Sequence, residues 1–102
     1  MYVYMVTNHN NKSLYTGVTK DIQRRLFEHR NPNFYHIARE TTRYTERYNC
    51  YKLVYFEFIP SPVDAIAREK EIKGWKRDKK DALVNLQNPA WKDLGYKVGL
   101  PI

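Results

Sequence analysis

Three groups of side chains in this sequence have the types and spacing to do chemistry. Tyr2, Tyr4, Tyr15 and Gly17 belong to two β-rich runs, "YVYMVT" and "SLYTGVT", and period-two alternation puts all four on one face of a hairpin. Arg25 and His29, four apart in "TKDIQRRLFEHR", stack one turn above the other on a helix. Glu69 lies midway between Ile66 and Ile72 in "PVDAIAREKEIK", which puts a carboxylate at the edge of a buried stripe. A carboxylate there is costly unless something cationic meets it. Lys73, four residues on, is the plain structural partner.

The elements that must position these groups follow from the pattern. The connector "NHNNK" between the two β-rich runs spells a hairpin. Placing Tyr4 opposite Tyr15, with Val3 facing Thr16 and Met5 facing Leu14, leaves a four-residue loop and puts Val3, Met5, Leu14 and Val18 on the second face. Asp21 is the expected N-cap of a first helix whose stripe begins with Ile22 and Leu26. Residues 33 to 50 are mixed polar and aromatic and read as a short helix plus loop. "CYKLVYFEFI" is the strongest strand. Ser61 and Pro62 open the next helix as N-cap and first-turn proline, with Asp64 completing a weak capping box, and Gly74 closes it. A further helix, "KRDKKDALVNLQ", takes Asp78 as its cap and turns Ala82, Leu83 and Leu86 inward. In the tail, Trp91 is the expected anchor.

Length and composition bound the rest. A chain of 102 residues with 42% hydrophobic content suits one compact core and is too short for two. The formal charge of +7 favours an anionic partner such as nucleic acid, without choosing between DNA, RNA and a membrane surface. Cys50 is the only cysteine, so an internal disulfide and a cysteine metal cage are excluded and a reducing, cytoplasmic setting is expected. No apolar run approaches the roughly 18 residues of a membrane span, and no leader pattern opens the chain.

Taken together, "YVY" at 2 to 4, "YTG" at 15 to 17, "DIQRRLFEH" at 21 to 29, "KLVYFE" at 52 to 57 and "AIAREKEIKGW" at 65 to 75 resemble the GIY-YIG nuclease family. The likeness is to its stand-alone bacterial members and covers residue 2 to about 88. Tyr2 stands where the family name has glycine, and Thr16 where it has isoleucine; neither change removes a reactive side chain. The resemblance implies an α+β fold, a small, mainly antiparallel three-stranded sheet flanked by helices in the order β-β-α-(α)-β-α-α. It implies a nuclease domain over 1–88 with a tail, 89–102, packed on or extending from it.

The same resemblance implies hydrolysis of phosphodiester bonds in DNA, in repair or processing, with one Mg²⁺ or Mn²⁺ ion. The catalytic residues carried across are Tyr4, Tyr15, Arg25, His29 and Glu69, with Glu69 as the metal ligand. Attack on a phosphodiester builds charge on its oxygens, where a metal and a guanidinium help most. Arg25 offers a fork for two phosphate oxygens. Either tyrosine needs nearby cations to accept a proton, and Tyr15 is slightly favoured as base. The family's asparagine corresponds to Asn85 or Asn88. Gly17 would let a phosphate or a neighbouring ring approach the hairpin beside Tyr15.

Each residue also has a plain reading. Tyrosines favour strands, a glutamate can pair with Lys73, and His29 can be an ordinary helix-surface histidine; His9 and His36 receive no role. Lys70, Lys73, Lys76, Arg77, Lys79 and Lys80 form a basic run that is either a solvated helix face or a track for a nucleic-acid backbone. Trp75 is read as core and Cys50 as a small packed residue. The rival functions are a nucleic-acid-binding module that does not cut, and a structural or protein-interaction domain.

Overall fold

The computed structural model describes residues 1–31 and 50–99. Strands β1 (Tyr2–Thr7) and β2 (Leu14–Thr19) pair antiparallel. Strand β3 (Lys52–Phe58) pairs antiparallel with the other side of β1, giving the order β2-β1-β3. Helices α1 (Ile22–Arg30), α2 (Pro62–Lys73) and α3 (Arg77–Gln87) flank the sheet, and a 3-10 turn spans Gly95–Val98. This is the expected α+β architecture in the expected order; the short helix expected between residues 33 and 50 falls, apart from Cys50, outside the described residues.

The central strand is covered on both faces. Val3 and Met5 pack with Val54 and Tyr55 against Ala65 and Ile72 of α2 and Val84 of α3. Tyr4 and Val6 pack with Leu53 against Ile22 and Leu26 of α1 and Leu94 of the tail. A register shift between Met5 and Val6 lets the consecutive residues Val54 and Tyr55 both join the α2 side. Asp21 and Ser61 cap α1 and α2 as expected, accepting from the backbone N–H of Arg24 and Asp64.

Four local expectations are corrected. Tyr4 faces Gly17 and Val6 faces Tyr15, a shift of two residues from the expected register. A shift of two preserves which residues share a face. The longer loop, Asn8 to Ser13, is held by the Asn8 amide oxygen, which accepts from the N–H of Lys12 at 2.9 Å and of Ser13 at 3.1 Å. On α2 the buried line is Ala65 and Ile72, with Ile66 exposed. On α3 the N-cap is Lys76, and Asp78 sits in the first turn. Val84 is the buried residue of α3, while Ala82 and Leu86 face solvent. Amides explain that last difference: Gln87 bonds both the N–H and the carbonyl of Phe56, and Asn88 donates to the Val54 carbonyl. The face that docks on β3 is therefore partly polar, and apolar periodicity does not register it.

Candidate active site

Helix α1 lays Ile22, Leu26 and His29 onto the sheet, one buried line at i, i+4 and i+7. His29 ends that line over Tyr4, whose hydroxyl lies 2.8 Å from the imidazole Nε2. Arg25, one turn back, also hydrogen-bonds the Tyr4 hydroxyl. Burial, then the Arg25 charge, push the His29 pKa down to about 4, so the ring is neutral near pH 7. A guanidinium only donates. Toward Arg25 the Tyr4 oxygen therefore accepts, while donor and acceptor between Tyr4 and His29 are set by the imidazole tautomer. Burial drives the Tyr4 phenol well above its ordinary pKa even against the pull of Arg25.

Tyr15 is half-buried on β2, with its ring centroid 5.9 Å from that of His29. The Lys73 ammonium lies 5.4 Å from the centroid of the Tyr15 ring and 3.6 Å from the Glu69 carboxylate. Ala65, Glu69 and Ile72 stand at i, i+4 and i+7, so Glu69 lies on the buried line itself; its side chain is only 15% exposed. Helix α2 and helix α1 cover opposite faces of the sheet, and a side chain of each, Lys73 and His29, reaches Tyr15 on β2, an edge of the described sheet. The Glu69 charge reaches Tyr4, where it adds to the upward shift of the phenol. All five expected residues thus gather around the β2 edge, from β1, β2, α1 and α2.

The residues of the basic run differ in what they touch. Lys70 and Lys76 are exposed, and Lys80 is half-buried. Lys73 belongs to the Tyr15–Glu69 cluster. Arg77 donates to the carbonyls of Lys12 and Asn11, both at 2.6 Å, and pairs with Asp81. Lys79 lies over the Trp75 ring, 4.4 Å from its centroid. Gly17 is buried: a Cβ there would meet the Tyr4 ring, so the space it leaves holds a neighbouring ring. Asn85 accepts from the Trp91 indole, and Asn88 bonds Val54 and both backbone groups of Lys92.

Lys20 and Arg24 escaped the sequence reading. With Arg25 and Glu28 they line a cavity of about 280 Å³ at the start of α1. The available signal was a basic residue on each side of the Asp21 cap.

The donor set suits a hard, water-rich cation: one carboxylate with phenols nearby, and no group of three or more His, Cys, Asp or Glu side chains among the described residues. Mg²⁺ keeps several waters and needs only one or two protein carboxylates. Among the described residues, no helix is long and apolar enough to cross a membrane.

Comparison with known proteins identifies the relatives of the chain. The chain is 40% identical over 82 residues to a UPF0213 protein of Haloquadratum walsbyi, covering 80% of this chain and 83% of the relative. A UPF0213 protein of Staphylococcus saprophyticus is 36% identical over 84 residues, with coverages of 82% and 93%. The solution NMR structure of a UPF0213 protein from Bacillus halodurans superposes with a TM-score of 0.54 at 29% identity, covering 90% of this chain and 89% of that one. The GIY-YIG catalytic domain model matches residues 1–82. That span contains every element that builds the tyrosine, arginine, histidine and glutamate cluster, and the chain belongs to the GIY-YIG family of nuclease domains.

Proposed function

We propose that the chain is a divalent-metal-dependent endonuclease that hydrolyses phosphodiester bonds in DNA, in repair or processing. The observation that carries this reading is the Tyr4 hydroxyl held between Arg25 and His29, with Tyr15 beside them and Glu69 within electrostatic reach.

Glu69 would hold the cation, which when bound neutralises charge on the phosphoryl oxygens. Arg25 is pre-oriented by Tyr4 and grips the phosphate as its charge grows. Tyr4 is buried and committed at its hydroxyl, which suits it to positioning. Tyr15 is more accessible and has an ammonium over its ring, which stabilises a phenolate and suits it to taking the proton from water. His29, neutral, fixes the Tyr4 hydroxyl.

The test is nicking of plasmid, branched and single-stranded DNA in Mg²⁺ by the native chain and by Glu69→Gln and Tyr15→Phe. The expected result is cleavage that falls about a hundredfold or more in both variants while DNA binding persists. Cleavage indifferent to Glu69→Gln removes that acid from the mechanism. The Lys73–Glu69 pair, which satisfies the acid without any ion, favours a second reading, a binding module that does not cut. Binding without cleavage on every substrate would establish it.

A further inference from the structure

A second cavity, about 530 Å³ in volume, opens on the α1 side of the sheet between Tyr2, Phe56 and Lys97. It shares Lys20 and Asp21 with the smaller cavity beside Arg25, so the two adjoin and together form a groove that leads from Arg25 toward a pair of aromatic rings. Its volume lies within the range of small-ligand pockets.

The chemistry changes along the groove. At the Arg25 end it is cationic on balance: Lys20, Arg24 and Arg25 outweigh Asp21, which caps α1, and Glu28, which lies 3.6 Å from Arg25. At the far end it is aromatic. Tyr2 lies two residues from Tyr4 on the same face of β1, and its ring centroid is 6.3 Å from that of Phe56 with the planes tilted by 58°, so a base can lie flat on one ring and against the edge of the other. Phe56 sits on a fixed backbone, both of whose polar groups are bonded by Gln87. Lys97 adds a cation at the rim. A cationic track leading to a ring platform is the arrangement that holds a nucleic-acid backbone while a base stacks. The faces of a paired base are already covered by its neighbours in the duplex, so only an unpaired nucleotide can use the platform. Tyr2 stands where the family name has glycine.

We propose that this groove binds an unpaired nucleotide, its base stacked on one of the Tyr2 and Phe56 rings and in contact with the other, and its phosphate between Lys20 and Arg24. The preferred substrate is then DNA with a single-stranded segment beside the bond to be cut. The idea rests on the nuclease reading for its purpose, but its test is one of binding.

In metal-free buffer, on a Glu69→Gln background expected to suppress cutting, the affinities of a single-stranded oligothymidylate and a blunt duplex are measured by fluorescence anisotropy. Tyr2→Gly should weaken single-strand binding about tenfold or more and leave the duplex unchanged. Tyr2→Phe should retain the native preference. Phe56→Leu and Tyr2→Leu, which keep apolar bulk without a flat ring at one position each, carry the test if the glycine variant does not fold. Equal weakening on both DNAs, or single-strand affinity indifferent to the rings, overturns the groove. Ring-dependent binding in a chain that cuts nothing would sustain the groove and defeat the nuclease reading. Cleavage without ring dependence would do the reverse.

Discussion

Gly17 lies directly opposite Tyr4 in the β1–β2 ladder, and a Cβ at position 17 would stand 2.5 Å from the Tyr4 hydroxyl. The same hydroxyl holds His29 at 2.8 Å, so one missing side chain permits the arrangement of the whole cluster. Gly17→Ala should displace the Tyr4 ring, cost about 1–3 kcal/mol through overpacking, and depress cleavage. Urea unfolding and plasmid nicking measure the two effects; an alanine variant of native stability and native rate would show that the ring has somewhere else to go.

Acid should weaken the fold through His29. The unfolded imidazole takes up its proton near pH 6.5 and the folded one only near 4. Between those values the unfolded chain binds more protons, so stability falls as pH drops. The contribution is intact above pH 6.5, about 2 kcal/mol is lost by pH 5, and about 3 kcal/mol below pH 4. Denaturant midpoints from pH 7 to pH 4.5 should fall less steeply in His29→Gln than in the native chain. Parallel slopes would assign the acid sensitivity to other groups.

Thr16 should be improvable. It is 4% exposed, and its hydroxyl has no hydrogen-bond partner among the described residues. Replacing an unsatisfied buried hydroxyl by a methyl of the same shape removes a desolvation cost. Thr16→Val is expected to gain about 1 kcal/mol, or several degrees in Tm for a chain of this size. A thermal melt decides it, and a lower Tm would mean that the hydroxyl is satisfied after all.

Arg77 and Lys76 should separate in a salt titration. Arg77 is engaged with the hairpin loop and Asp81, whereas Lys76 is exposed. Lys76→Gln should reduce the slope of log affinity for DNA against log salt by about 0.9 and leave Tm unchanged. Arg77→Gln should lower Tm through two lost carbonyl bonds, with a smaller change in slope. The reverse pattern would make Arg77 the phosphate contact.

Much of this was legible in the residue order. Strand runs, the Ser61–Pro62 helix start and the Asp21 cap are local signals, decided by neighbours a few positions away, and the structure reproduces them. Glu69 was recognisable as an acid on a helix edge, although its true companions are Ala65 and Ile72 and not Ile66. The α3 face was not legible, because Gln87 and Asn88 dock it through hydrogen bonds and hydrophobic periodicity does not record them.

Local chemistry along the chain determined the elements and the alternation of the hairpin faces, and the motifs shared with the family pointed to the five polar side chains. Tertiary structure alone decided that side chains from helices on opposite faces of the sheet reach Tyr15 at the β2 edge, that Arg77 holds a loop 65 residues away, and that Lys20, Arg24, Tyr2 and Phe56 share a groove. Those relationships depend on where separately formed elements dock, which is set by packing of their buried sides, and no run of neighbouring residues encodes it.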